Sequence, residues 1–264
     1  MKLNSEQVEH FVRQGFVHCP GLIGCDLIEK GLAVFEGETG LIPGDPGTWE
    51  KVPAGNLGEH GVHLDLSFLV TPEMADVAEQ LCGSDIFCRG FTPILKMQVP
   101  GPKKFESPEG AHIDGMRAGL TLYPTLRYLV MLAYLTDTPI YGGPLCVHPG
   151  SHRQVFEYGY RTGADLSENW WKNKKTQAVD LPYLDKIPLP GKAGDVIFMH
   201  YLLVHSGSLN RSDHVRVGLN GVAREIEERP YLPKPGSPIS DWTPIDRTLR
   251  TDNLEQAQSQ VALS

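Results

Sequence analysis

The chain has 264 residues, enough to bury a sizeable core, with 41% hydrophobic and 21% charged residues as in ordinary globular proteins. Its net charge of −8 excludes nucleic acid and anionic membrane surfaces as main partners, because both demand concentrated positive charge. No apolar run is long enough to span a membrane and the N-terminus turns polar at once. The five cysteines form no C-x-x-C pair, so a cytoplasmic protein with reduced thiols is expected.

The first predicted element is a helix. Asn4 and Gln7 make a capping-box pattern, Val8, Phe11 and Val12 share one face, and Gly15 can end it. Leu27, Ile28, Leu32 and Phe35 repeat the helical period before Gly37. Residues 40–62 are rich in Gly, Pro and Glu without periodicity, which predicts a long loop of the kind that often serves as a lid. Thr71-Pro72-Glu73 opens a third helix, with Thr as N-cap and Pro at the first helical position, ending near Gly83.

From Ile86 onward the pattern is one of short strands. Ile94 to Val99, Tyr128 to Leu135, Asp195 to Val204 and Val215 to Val222 are alternating or strongly apolar, and Gly142-Gly143-Pro144 and Pro149-Gly150-Ser151 are turns. Residues 153–190 read as a polar, aromatic insertion carrying Trp170-Trp171. Helices first and strands afterwards predict a mainly β protein with flanking α-helices, its core an antiparallel jelly roll with the N-terminal helices packed outside. The whole chain, 1–264, is expected to form one domain: a helical and loop part over 1–85, a β core over 86–230, and a peripheral tail over 231–264.

The chemistry gathers in Gly110-Ala111-His112-Ile113-Asp114-Gly115. Alternate residues of a strand point to one face, so His112 and Asp114 can reach one ion together. A third ligand must come from elsewhere, and His205 stands where the apolar strand begun by Gly194-Asp195 runs out. Two imidazoles and one carboxylate on one face of an octahedron suit non-haem iron(II), since the opposite face stays open for co-substrate and oxygen. Eleven residues after His205, Arg216 sits in the next alternating run, where its planar guanidinium can make two parallel hydrogen bonds to a carboxylate.

In this order and spacing the residues resemble the phytanoyl-CoA dioxygenase family of iron(II)/2-oxoglutarate oxygenases. The likeness runs from the opening helix and Phe16-Val17 through Gly143-Pro144-Leu145-Cys146-Val147-His148-Pro149-Gly150-Ser151-His152 to Arg216. It implies a double-stranded β-helix (cupin-like) core, with His112, Asp114 and His205 as catalytic metal ligands and Arg216 on the distal carboxylate of 2-oxoglutarate. It also implies an oxidoreductase that uses oxygen to hydroxylate a small molecule, releasing succinate and carbon dioxide. Halogenase relatives carry a small residue where Asp114 stands, so halogenation is not expected. Where family members often carry a hydroxyl two residues past the distal His, this chain has Gly207, flanked by Ser206 and Ser208.

Other readings compete at several positions. His63-Leu64-Asp65 is a second His-x-Asp, but it precedes a helix start, where Asp65 can order a turn. His200 lies five residues before His205 and on the opposite strand parity, as a core histidine would. Pro149-Gly150 prevents one helix from carrying both His148 and His152, so His152 is expected to order that turn. Lys96 and Gln98 share a strand face and either can reach the co-substrate, a solvated face being the alternative. Met116 and Arg117 are substrate candidates, Arg117 as the partner of an acidic group or else a solvated loop residue. A cupin-like metal-dependent isomerase or hydrolase would have no need of Arg216, and a non-catalytic jelly-roll binding module would need no metal.

Overall fold

A computed structural model describes residues 2–83, 86–88, 90–108, 110–113, 128–162, 181–182, 184–225 and 243–248. Helix α1 (Ser5–Gln14) carries the full capping box: the Asn4 carboxamide accepts from the Gln7 amide at 2.9 Å and Gln7 Oε1 from the Asn4 amide at 3.0 Å. Helix α2 (Cys25–Thr39) runs through Gly37, its expected end, and stops instead at Gly40, whose φ of 67° supplies the left-handed cap. Gly37 meets no atom within 4 Å, so it is tolerated inside the helix for about 1 kcal/mol of propensity. Helix α3 (Pro72–Cys82) starts as its sequence requires, with Thr71 Oγ1 accepting from the Met74 amide at 3.3 Å.

The described residues form ten strands: β1 (Phe16–Cys19), β2 (Gly55–Asn56), β3 (Ile86–Cys88), β4 (Thr92–Lys96), β5 (Tyr128–Tyr134), β6 (Leu145–Val147), β7 (Ile187–Leu189), β8 (Val196–His200), β9 (His205–Ser206) and β10 (Arg216–Glu225). The larger sheet has the order β1-β8-β5-β10-β4-β2, with β3 also on β10, and the smaller the order β7-β6-β9. All these pairings are antiparallel. The pleat sorts the side chains into two layers. Leu95, Met131, Phe198 and Val217 pack toward the helices, while Val130, Leu132, Tyr134, Ile197 and Met199 meet Leu145, Val147 and Leu189 of the smaller sheet. Two antiparallel sheets face to face with helices on the outside are the expected jelly roll.

Short elements replace part of the long loop expected over 40–62. Pro46–Lys51 and Leu57–His60 are 3-10 turns, and β2 between them extends the sheet along β4. The 153–190 insertion opens with a helix, α4 (Ser151–Thr162), and Trp170-Trp171 fall outside the described residues. Within the tail, α5 (Pro244–Thr248) packs on α1 and α3 and buries Ile245 completely. Among the described residues, no helix is long and apolar enough to cross a membrane.

Two buried polar groups organise the two ends of β8. Asp195, 6% exposed, accepts from the amides of Lys192 at 2.9 Å and Gly21 at 3.0 Å and binds His18 Nε2 at 2.9 Å. It thus ties the turn before β8 to the turn after β1. His152 departs from its expected role. The Pro149-Gly150 turn is ordered by backbone bonds and by Ser151 Oγ, which accepts from the Val204 amide at 2.9 Å, while the His152 ring is fully buried against His200, 5.2 Å between ring centres. The reason is that α4 begins at Ser151, so His152 turns inward on a helical face.

Two predictions follow from these groups. Asp195→Ala is expected to lower the unfolding free energy by about 3 kcal/mol, since it strands buried donors that now meet a charge. Urea titration at constant slope measures this, and a loss below about 1 kcal/mol would show the tie to be dispensable. Burial, with Arg153 nearby, pushes the His152 imidazole down to about 3, and burial beside His152 pushes His200 well below 6.5. Both therefore stay neutral in the fold while the unfolded chain takes up protons below about pH 6.5. Stability is full above that pH and falls as pH drops toward 3, by about 1.4 kcal/mol per unit for each group. Denaturation at pH 7.5 and 5.5 should show the fall, and His152→Leu should remove about half of it; an unchanged slope in that variant would place the acid sensitivity elsewhere.

Candidate metal centre

His205 opens β9, where Val147 is its cross-strand partner. Val147 belongs to the layer between the sheets, so His205 faces the same interior and is 6% exposed. His112 reaches it from a separate segment. The two residues exchange backbone hydrogen bonds, His112 N to His205 O at 2.8 Å and His205 N to His112 O at 2.9 Å. Directly opposed residues of an antiparallel pair put their side chains on one side. The imidazole centres stand 4.4 Å apart, tilted by 52°.

The pair fits a shared ion. Two imidazoles bound side by side at about 2.1 Å to one metal place their ring centres roughly 4.5 Å apart. The Leu203 carbonyl, 2.9 Å from His205 Nδ1, can only accept. Nδ1 therefore carries the proton and Nε2 the lone pair, which is the tautomer a metal ligand needs. Asp114 lies outside the described residues, as do Met116 and Arg117, and among the described residues no three metal-binding side chains gather.

Arg216 is the first residue of β10 and stands opposite Lys96, the last of β4. Gly218 pairs with Tyr134, whose ring lies in the layer between the sheets, so Arg216 two residues earlier shares that inner face. The guanidinium, 4% exposed, donates to the carbonyls of Gly143 at 3.2 Å and Ile94 at 3.4 Å and lies 5.8 Å from the centre of the Tyr134 ring. Gly218 makes room for it, because a Cβ there would meet Nη2 at 2.8 Å. Lys96 shares the face with Arg216. Gln98 lies beyond β4, exposed, in a bridge with Asn210.

The competing histidines fall elsewhere. His200 is on the helix-facing side of β8, opposite Leu129, and its Nδ1 accepts from the Leu202 amide at 3.1 Å. His148 bonds Leu184 O at 2.9 Å, and Asp65 accepts from the Ser67 amide and hydroxyl at 3.1 and 2.6 Å, ordering a turn. Of the serines flanking Gly207, Ser208 donates to Pro144 O at 2.7 Å. Residues not singled out from the sequence hold the site together. The Asn210 carboxamide donates to Lys96 O and His214 O, both at 2.7 Å, and accepts from Ser212. Its signal was the Asn-x-Ser turn pattern between His205 and Arg216.

Residues 11–218 match the phytanoyl-CoA dioxygenase (PhyH) family. The chain belongs to that family. It is thereby an oxidoreductase of the dioxygenase type, and the family's chemistry uses iron(II), 2-oxoglutarate and oxygen. An ectoine dioxygenase of Bordetella bronchiseptica is 26% identical over 257 residues, covering 89% of this chain and 79% of that enzyme. An L-proline trans-4-hydroxylase of Streptomyces griseoviridis is 27% identical over 191 residues, 66% of this chain and 68% of that enzyme. In fold, the chain resembles the non-haem, alpha-ketoglutarate-dependent carbocyclase SnoK of nogalamycin biosynthesis, with a TM-score of 0.58 at 23% identity over 86% of this chain and 87% of that one. It also resembles HygX of Streptomyces hygroscopicus, solved with nickel, 2-oxoglutarate and hygromycin B, with a TM-score of 0.51 at 17% identity over 86% and 90%.

Arg216→Lys keeps the charge but loses the planar fork. The 2-oxoglutarate requirement should rise about 10- to 100-fold, equivalent to about 1.5–3 kcal/mol for hydrogen bonds to a charged group. Iron(II) affinity without co-substrate should stay within a factor of about two. An unchanged 2-oxoglutarate dependence would move the anchor to Lys96.

Proposed function

We propose that the chain is an iron(II)- and 2-oxoglutarate-dependent hydroxylase of an unactivated C–H bond in a free small molecule. The observation that carries this reading is the pair His112 and His205, bridged with their ring centres 4.4 Å apart, His205 buried on the inner face that Arg216 also lines and His112 exposed beside it. His112, His205 and Asp114 would hold the iron, and Arg216 the distal carboxylate of 2-oxoglutarate. Iron bound there would supply the oxygen chemistry that converts C–H, oxygen and 2-oxoglutarate into C–OH, succinate and carbon dioxide. His205 Nδ1, donating to Leu203 O, keeps its ring turned inward, and Tyr134 and the apolar layer exclude water beside Arg216.

The charge pattern supports a substrate without clustered phosphates. Near the site Lys103 pairs with Asp213, and Lys104 and Arg211 share Glu106, so each of these cations is already engaged by a carboxylate. An acyl-CoA would call for unmatched basic clusters. The ectoine and proline enzymes among the relatives, and the antibiotic-related structures among the fold neighbours, point the same way. A natural-product intermediate or modest organic acid is the substrate class proposed, with Arg117 and Met116 as pocket residues and Arg117 meeting any acidic group.

Anaerobic addition of iron(II) and 2-oxoglutarate should give the weak visible charge-transfer band of the chelate in the native chain and none in His205→Ala. A band that survives His205→Ala would dismiss this ligand assignment. Succinate release should then be faster with an uncharged polycyclic, amino-acid-derived or free-acid compound than with any acyl-CoA. Faster coupled turnover on the thioester than on every free compound would overturn the substrate class.

A further inference from the structure

Between His205 and Arg216 the chain carries another guanidinium with an unusual set of contacts. Arg211, 12% exposed, reaches into the loop that leads from β4 to His112. Its Nη1 donates to Val99 O at 3.1 Å and to Pro100 O, while Nε donates to Glu106 Oε2 at 2.8 Å and Nη2 to the same oxygen. One side chain thus fastens the start of the loop to its end. Gly101, with φ of 141°, is where the chain passes over it, since a Cβ there would meet Nη1 at 2.7 Å.

Backbone bonds continue the same seam. Val99 N donates to Asn210 O at 2.7 Å and Leu209 N to Glu106 O at 2.9 Å, ahead of the His112–His205 exchange. Ser107 Oγ donates to Gly207 O at 2.9 Å, and Lys186 Nζ to Ser107 O at 2.7 Å. Hydrogen bonds from Arg211 and Lys104 hold the Glu106 carboxyl below its ordinary range, so it stays charged at neutral pH. His112, by contrast, lies in an isolated bridge and is exposed, so its place beside His205 depends on the path of this loop.

We propose that Arg211 is the positioning residue of the metal centre: by clasping residues 99–106 against the segment after His205, it sets the approach of His112 to His205. This rests on the metal reading proposed above. Arginine is suited to the task because its rigid fork addresses two carbonyls and a carboxylate in different directions, which a single ammonium cannot do.

The test is anaerobic titration of the full chain with cobalt(II), whose d–d spectrum reports coordination geometry, and with iron(II) by calorimetry. Arg211→Ala should bind either metal about 10- to 100-fold more weakly, the usual effect of removing a group that orients a ligand, with an altered cobalt spectrum. Glu106→Gln, which keeps the loop's shape and a neutral acceptor, should lie between native and Arg211→Ala. Arg211→Lys should rescue only part of the loss. Asp195→Ala, destabilised by loss of bonds to Gly21, Lys192 and His18 that involve no residue of the clasp, should keep the native spectrum and affinity, which separates positioning from a general loss of stability. Native affinity and spectrum in Arg211→Ala would overturn the proposal alone, whereas a native chain that binds neither metal would overturn the metal reading beneath it. If Arg211→Ala does not fold, native binding in both Glu106→Gln and Arg211→Lys is the result that rejects the clasp.

Discussion

Tyr134 is the contact on which the spacing of the two sheets depends. Its hydroxyl donates to Leu189 O at 2.8 Å and accepts from the Leu145 amide at 3.1 Å, so a residue of the larger sheet is bonded to two strands of the smaller one. Burial pushes the phenol up to about 12, which keeps the hydroxyl protonated and able to donate at any physiological pH. The ring beneath Arg216 and the hydroxyl between the sheets belong to one side chain, so sheet spacing and the position of Arg216 are set together.

The pleat does the rest of the placing. Each strand delivers one residue in two to the inner layer, and the site is what that selection yields at one end of the sandwich. His205 arrives with Val147, His112 with His205, Arg216 with Lys96, and Gly218 with Tyr134. A register slip of one residue in β10 would turn Arg216 to the helix side and bring Val215 or Val217 inward. Asn210 guards against this, because its carboxamide bonds both the end of β4 and the residue two before β10.

Two of the residues proposed to hold metal and co-substrate, His205 and Arg216, come from one short stretch, 205–216, and this makes the loop opposite it, which brings His112, the adjustable part. His112 joins the site through two backbone bonds and a loop held by ion pairs, Arg211 and Lys104 on Glu106 and Lys103 on Asp213. Three cations thus share two carboxylates, so this rim holds no cluster of unpaired positive charge.

Most of the frame was legible in the sequence because its signals are local. The Asn4–Gln7 box, Gly15, Thr71-Pro72 and the alternation around Ile94, Tyr128 and Val215 act through neighbouring backbone groups, and the described elements follow them. The family resemblance singled out His112, Asp114, His205 and Arg216, and among the described residues His112 stands beside His205 and Arg216 lines the inner face. The end of α2 and the helix at Ser151 were not legible, since an interior Gly37 and a Pro-Gly turn read equally well as stops. Only the tertiary structure decided which residues support the site: Tyr134, Asn210 and Arg211 act across 55 to 114 residues and Gly218 through a cross-strand contact, and no periodicity records a partner that distant. Local chemistry determines which elements form and what ligands they carry; the distance between two imidazoles is a property of the packed sheets.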